Sequence, residues 1–212
     1  MKGEQRKMVD VANLRELNFE DFKDKQVPIG ISNKHVHVCQ ADLETLFGEG
    51  YELTNKKDLS QPGQFACEEK VDVVGPKGTI KGVRILGPVR PETQVELAQT
   101  DARSIGVNAL LRESGKLEGT EGCKLVGPKG EVELEKGCIV AHLHIHFHTD
   151  EAAAMGIKDK QMLTVAVRGQ KTVVFADVIA RVGDKMKLDF HIDTDEANAA
   201  LVKNGDVAVI LA

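Results

Sequence analysis

The sequence predicts a mainly β fold with short helices (α+β), arranged as two related small β-barrel domains capped by those helices. Three observations lead there. Many short alternating runs are separated by Gly and Pro, as in barrels and sandwiches rather than a doubly wound sheet. The pentapeptide Val74-Gly75-Pro76-Lys77-Gly78 recurs as Val126-Gly127-Pro128-Lys129-Gly130, which points to an internal duplication. A third pattern occurs four times: a metal-capable residue, an acid five positions later and an apolar or small residue at six. Its copies begin at His37 (Asp42, Leu43), Glu96 (Asp101, Ala102), His146 (Glu151, Ala152) and His191 (Glu196, Ala197).

Residues 1–25 read as a separate N-terminal extension. Met8, Val11, Leu14 and Leu17 fall at helical spacing between charges, which suits a short amphipathic helix or a frayed terminal one. Strand character begins with Val27–Ile31 and runs into Ser32–Val38. A helix follows over Ala41–Phe47 and stops at Gly48 and Gly50. Further strands are predicted at Val71–Val74, Ile80–Leu86 and Val95–Leu97, then at Gly137–Phe147, Met162–Arg168, Lys171–Arg181, Lys187–Ile192 and Asp206–Leu211. Thr149 and Thr194 read as N-caps of two more short helices, each with acids in the first turn. The expected division is 1–25, a first barrel half over 26–115 and a second over 116–212, with exchange of segments between the barrels left open.

Composition narrows the function. The chain has 212 residues, a net charge of −5, one Tyr and no Trp, so it carries neither a broad basic footprint nor stacking rings for nucleic acid. Charges crowd the first 20 residues and no apolar run approaches the ~20 needed to cross a bilayer, so a cytoplasmic protein with reduced cysteines is expected. Cys39 follows His37 by two positions and is either a further ligand or a small buried thiol.

The chemistry concentrates in histidine. Residues two apart on a strand share a face, so His35 and His37 can bind one zinc with a third ligand from elsewhere. The pair also suits an ordinary sheet face. In Ala141–His148, four histidines alternate with Leu143, Ile145 and Phe147, which places His142, His144, His146 and His148 on one face. The seventh histidine, His191, begins the fourth repeat. That face looks outward or into a cleft; a solvent-exposed histidine row also fits, but burying four unpaired imidazoles would be costly and all seven histidines fall in these places, so metal binding is the better reading. Glu96 suits the remaining place beside His35 and His37. Arg90, on a stiff loop between Pro88 and Pro91, suits bidentate recognition of an anion.

Several motifs in order resemble the PduL-type phosphate acyltransferases of bacterial microcompartments. They are Val27-Pro28-Ile29-Gly30-Ile31-Ser32-Asn33-Lys34-His35-Val36-His37, Arg84-Ile85-Leu86-Gly87-Pro88-Val89-Arg90, Thr93-Gln94-Val95-Glu96-Leu97 and His144-Ile145-His146. The resemblance covers Val27 to the C-terminus. It implies a two-zinc enzyme interconverting acyl-CoA plus phosphate with acyl phosphate plus CoA. It implies His35, His37 and Glu96 on one metal, and His144, His146 and His191 on the other. Arg90, as catalytic residue, and Ser114 would hold phosphate. Ser32, Lys57, Arg84, Leu86 and Asn198 would contact CoA. It further implies possible partners among shell or core proteins, reached through the N-terminal segment, and leaves a homo-oligomer open. One departure stands out: Leu143 occupies a place where the family usually has a basic residue. Two other classes fit the same residues, a zinc-dependent acyl-CoA hydrolase and a non-enzymatic metal-binding scaffold.

Overall fold

In a computed structural model the fold is described for residues 17–211. The amphipathic helix predicted within residues 1–25 falls mostly outside them. What is described of that stretch is a short 3-10 helix at Phe19–Lys25, capped by Asn18, whose side-chain oxygen accepts from Glu20 N.

The chain then runs through β1 (Gln26–Ser32), β2 (His35–His37) and α1 (Gln40–Phe47). Next come β3 (Asn55–Asp58), β4 (Phe65–Gly75), β5 (Gly78–Gly87), β6 (Gln94–Glu96) and α2 (Gln99–Ile105). Short strands follow: β7 (Leu110–Arg112), β8 (Lys124–Val126), β9 (Glu131–Glu133), β10 (Cys138–Ala141) and β11 (His144–Phe147). The last part holds α3 (Thr149–Met155), β12 (Met162–Arg168), β13 (Thr172–Val182), β14 (Asp189–Asp193), α4 (Thr194–Ala200) and β15 (Val207–Ile210). The mainly β reading with short helices is what the chain forms.

Two compact units result, but not the two halves expected. One joins the described residues up to Ile31 with those from Leu143 onward; the other is Ser32–His142. The first is a closed barrel in the order β1-β14-β11-β13-β12-β15. β15 returns to β1, antiparallel, with Gln26 opposite Val209. Val27, Ile29, Ile145, Phe147, Leu163 and Phe190 fill its core. The second unit is a nine-stranded sheet in the order β7-β10-β6-β2-β5-β4-β8-β9, with β3 added on β4. Among the described residues no pairing joins its end strands β7 and β9, so one expected barrel closes and the other remains a sheet. Val36, Val95, Ile85, Ile139 and Leu125 are fully buried in it.

The boundary near residue 115 fails because pairing is not sequential. β10 lies parallel between β6 and β7, with Cys138 opposite Val95 and Ile139 opposite Leu110. Residues 116–142 therefore complete the sheet begun before them, while β1 joins strands from the far end of the chain. Two runs read as single strands are each broken where the units divide: Val27–Val38 becomes β1 and β2, and Gly137–Phe147 becomes β10 and β11.

The fourfold repeat has a structural meaning. In every copy the acid is the third residue of a short helix and the residue after it is buried: Leu43, Ala102, Ala152 and Ala197. The cap lies one residue earlier than predicted in two helices. His148 and Asp193, not Thr149 and Thr194, cap α3 and α4, each in a reciprocal capping box with the acid three residues on. The duplicated pentapeptide makes two hairpin turns that serve the same helices. Lys77 N donates to Ile105 O at the end of α2, and Lys129 N donates to Leu46 O at the end of α1. In the barrel, Lys171 N does the same for Ala200 O at the end of α4. Gly75 and Gly127 must be glycine for this approach, since a Cβ would sit 2.4 Å from Ile105 O and 2.5 Å from Leu46 O.

Candidate functional site

The sheet unit gathers the first candidate ligand set. β2 lies between β5 and β6, antiparallel to β6 with His35 opposite Glu96, and parallel to β5 with His35 opposite Arg84. Val36 and Val95 point into the core, so His35, His37, Gln94 and Glu96 share the other face. One ligand atom from each of His35, His37 and Glu96 lies within 4.8 Å of the others. His35 Nε2 is 3.4 Å from one Glu96 oxygen and His37 Nε2 is 3.7 Å from the second.

Both rings are oriented from behind. His35 Nδ1 is 2.8 Å from Asn33 O, and His37 Nδ1 is 3.0 Å from Leu86 O. A carbonyl only accepts, so each Nδ1 carries a proton and each Nε2 is left to face the carboxylate. Burial pushes His37 down to about 3, with His35 adding to the effect. Burial also depresses His35, but the Glu96 carboxylate and the hydrogen bonds outweigh it and the net direction is up. Burial alone would raise Glu96; the two imidazoles and Arg90 hold it well below the carboxylate range instead. An ionised buried carboxylate facing two imidazole nitrogens calls for a cation, either a proton on His35 or a metal ion. Three ligands and an open coordination position are the pattern of a catalytic zinc site.

Arg90 and Ser114 belong to this cluster. Arg90 Nη1 donates to Ser114 Oγ at 3.0 Å, and Ser114 Oγ donates to Glu96 Oε1 at 3.0 Å. The Arg90 loop is fixed to the residue just past β2 by its own N–H, which donates to Val38 O at 2.8 Å. Gln94, which sequence reasoning passed over, is almost fully buried. Its amide donates to Glu96 Oε1 at 2.6 Å and to Ser114 Oγ at 2.9 Å, while its oxygen accepts from Gly115 N at 2.7 Å. Its only sequence signal was its place two residues before Glu96 on a strand, hence on the ligand face.

Of the candidate CoA contacts, four lie in or beside this unit's ligand face. Ser32 Oγ is 3.5 Å from His35 Nδ1. Arg84 stands opposite His35, and its guanidinium donates to Cys67 O. Leu86 offers its carbonyl to His37 and pairs with Ala66, which pairs with Lys57, so Lys57 lies in the same cross-strand row. Asn198 is in the barrel unit, exposed on α4.

The barrel repeats the ligand geometry. β11 is antiparallel to β14 with His144 opposite His191 and His146 opposite Asp189. Ile145 and Phe147 fill the core. One nitrogen from each of His144, His146 and His191 lies within 4.8 Å of the others. His144 Nε2 and His146 Nε2 are 3.1 Å apart. His146 Nδ1 faces Met186 Sδ at 3.5 Å, and burial pushes His146 down to about 2. Two imidazole nitrogens this close, with burial keeping His146 neutral, are stabilised by a shared cation, so the set fits a metal. Asp189, buried and likewise passed over in the sequence, lies 3.0 Å from His191 Nε2 through Oδ2.

The other histidines part company from this set. His142 lies in the sheet unit, where its N–H donates to Arg112 O, because the strand breaks after Ala141. His148 caps α3 through Nδ1. The expectation of four histidines on one face therefore reduces to two. Leu143, at the break, packs against the barrel core. Cys39 is the N-cap residue of α1, half-buried, and its N–H donates to Thr93 Oγ1 at 3.0 Å. Among the described residues it belongs to neither ligand set, and all four cysteines are free thiols. No helix among them is long and apolar enough to cross a membrane.

Comparison with known proteins agrees with these motifs. A family model described as phosphate propanoyltransferase matches residues 28–203. A phosphate propanoyltransferase of Thermotoga maritima is 52% identical over 190 residues, 89% of this chain and 90% of that protein. One from Clostridioides difficile is 48% identical over 189 residues, covering 89% and 90% of the two chains. One from Salmonella typhimurium is 46% identical over 186 residues, covering 87% and 88%. With such coverage at such identity, the chain belongs to the phosphate propanoyltransferase family and is a phosphate acyltransferase.

Proposed function

We propose that the chain interconverts a short-chain acyl-CoA plus phosphate with an acyl phosphate plus CoA, by direct attack of phosphate on the thioester, with one metal ion in each ligand set. The observation that supports this most is the Arg90–Ser114–Glu96 chain of contacts, which sets an anion-recognising guanidinium beside a metal-type ligand set within one unit. Phosphate is anionic at neutral pH and needs orientation more than deprotonation. Arg90 supplies a fixed fork for its oxygens, and Ser114 a neighbouring hydroxyl. A phosphate oxygen then bonds to the carbonyl carbon as the carbon–sulfur bond breaks and the sulfur leaves with the electron pair. His35, His37 and Glu96 would hold one ion and His144, His146 and His191 the second. A divalent metal such as zinc supplies Lewis-acid polarisation of the carbonyl and a counter-charge for the departing thiolate.

CoA recognition is assigned to Lys57, Arg84 and Leu86 on the second sheet, to Ser32 beside His35 at the end of β1, and to Asn198. No acyl-enzyme is part of the scheme: Cys67 and Cys138 are pushed up by surroundings that disfavour the thiolate, Cys67 to about 11 chiefly by burial, Cys138 by its contact with Cys123 and by burial. A cytoplasmic location, with encapsulation in a microcompartment directed by the N-terminal segment, belongs to the same proposal. Deleting residues 1–16 should then leave activity intact and abolish encapsulation.

The test is CoA release from acetyl-CoA and propanoyl-CoA, with and without phosphate, before and after chelation. Phosphate-dependent release abolished by chelation supports the reading. Phosphate-independent release would instead make the chain a metal-dependent hydrolase, and no release at all would leave a binding or scaffold role.

A further inference from the structure

The two ligand sets are built on the same plan but differ in where each keeps its carboxylate. In the sheet unit the third ligand is Glu96, and the residue two before it is Gln94. In the barrel the third ligand is His191, and the residue two before it is Asp189. Gln94 stands opposite His37 and Asp189 opposite His146, so the register positions correspond one for one. Each contacts its own third ligand: Gln94 Nε2 to Glu96 Oε1 at 2.6 Å, Asp189 Oδ2 to His191 Nε2 at 3.0 Å. Both are buried, with relative exposures of 2% and 6%.

We infer that Gln94 and Asp189 are matched positioning residues, and that Asp189 supplies to the histidine set the single negative charge that Glu96 supplies to the other. The inference rests on the reading of the two triads as metal sites. A divalent ion among three neutral imidazoles would keep its full charge in a half-buried place, and one nearby carboxylate offsets half of it. An ionised carboxylate only accepts, so His191 Nε2 is the donor and the lone pair of that ring falls on Nδ1. Asp189 thus selects the tautomer as well as the charge. Glu96, already anionic, needs only a neutral donor to fix one oxygen, and an amide serves. The fold reserves the space for Asp189: a Cβ on Gly30 would lie 2.8 Å from its Oδ1.

The test measures metal per chain after dialysis against a graded chelator series. Variants are Asp189→Asn, and Asp189→Gln combined with His191→Glu, which copies the Gln94/Glu96 arrangement into the barrel. Thermal melting of the metal-free forms reports folding independently. The wild type should hold two ions. Asp189→Asn should lose one of them about 10–100-fold more readily, the size usual for a lost outer-sphere partner. The double variant should recover the second ion. In 15N-resolved spectra of the metal-free protein, His191 should carry its proton on Nε2 in the wild type and lose that bias in Asp189→Asn. Two ions held with unchanged affinity by Asp189→Asn would overturn the inference and leave the metal reading standing. A wild type that binds no metal would overturn both.

Discussion

At the residue scale, the informative side chains are those whose neighbours oppose their ordinary chemistry. Arg90 faces Ser114 and, through it, Glu96. Arg90→Ala should lower kcat/KM for the phosphate-dependent reaction by about 10²–10³, the scale for removing one cation aimed at developing charge. Metal content should stay at the wild-type value, because Arg90 is no ligand. Preserved turnover would remove Arg90 from the phosphate site. Glu196 gives a second prediction. Burial, with Asp193 and Asp195 adding to it, raises its carboxyl to about 7, although Asp193 N donates to it. A raised acid binds its proton more tightly in the fold. Its contribution is therefore full below the unfolded value near 4.5 and is lost as pH rises through about 7. Glu196→Gln keeps the capping acceptor without the ionisation. It should match the wild type in stability at pH 5 and exceed it by about 1–3 kcal/mol at pH 8.5, judged by denaturant midpoints. Equal curves at both pH values would show that Glu196 titrates normally.

At the element scale, the four short helices share one design and one of them breaks it. α1, α2 and α3 end at Gly48, Gly106 and Gly156, all with positive φ. α4 ends at Leu201, in the left-handed region at φ 58° and 44% exposed. A β-carbon there costs about 1–2 kcal/mol, and little packing is lost by removing an exposed side chain. Leu201→Gly should raise the melting temperature by a few degrees, and a fall would mean that its contacts outweigh the strain. The reverse holds for the hairpin turns. Gly127→Ala would drive a methyl group to 2.5 Å from Leu46 O, break the fit of that turn over the end of α1 and cost about 1–3 kcal/mol. Chemical denaturation reads this directly.

At the scale of the whole molecule, each ligand set is completed by chain that is remote in sequence. His35 meets Glu96 through β2 and β6, and His144 meets His191 through β11 and β14. An unfolded chain does not hold three such residues together, so a metal held by either set would bind the folded state and stabilise it by mass action. Chelation should lower the melting temperature of the protein and zinc should restore it, with about 2.7 kcal/mol gained per site when free metal is 100 times its Kd. A melting temperature indifferent to chelator would count against both sites.

Local patterns were legible because their causes are local. Alternation of His with Val, Ile and Phe marked the ligand strands, since successive side chains on a strand face opposite ways. Glycine and proline marked the hairpins. The acid five residues after each ligand marked the third position of a short helix. The run Ala141–His148 misled for an equally local reason: alternation continues across the break after Ala141, and nothing in that spacing shows that His142 leaves with another unit. The sequence by itself determined the strand-rich class, the histidine pairs, the Arg90 loop and, through motifs in order from Val27 to His146, the family. Tertiary structure alone decided that β1 closes a barrel with β14 and β15, that β10 inserts beside β6, and that Gln94 touches Glu96 and Asp189 touches His191. These depend on which distant strands pair and in what register. That choice is made by the burial of whole faces at once, and no short stretch of chain carries it.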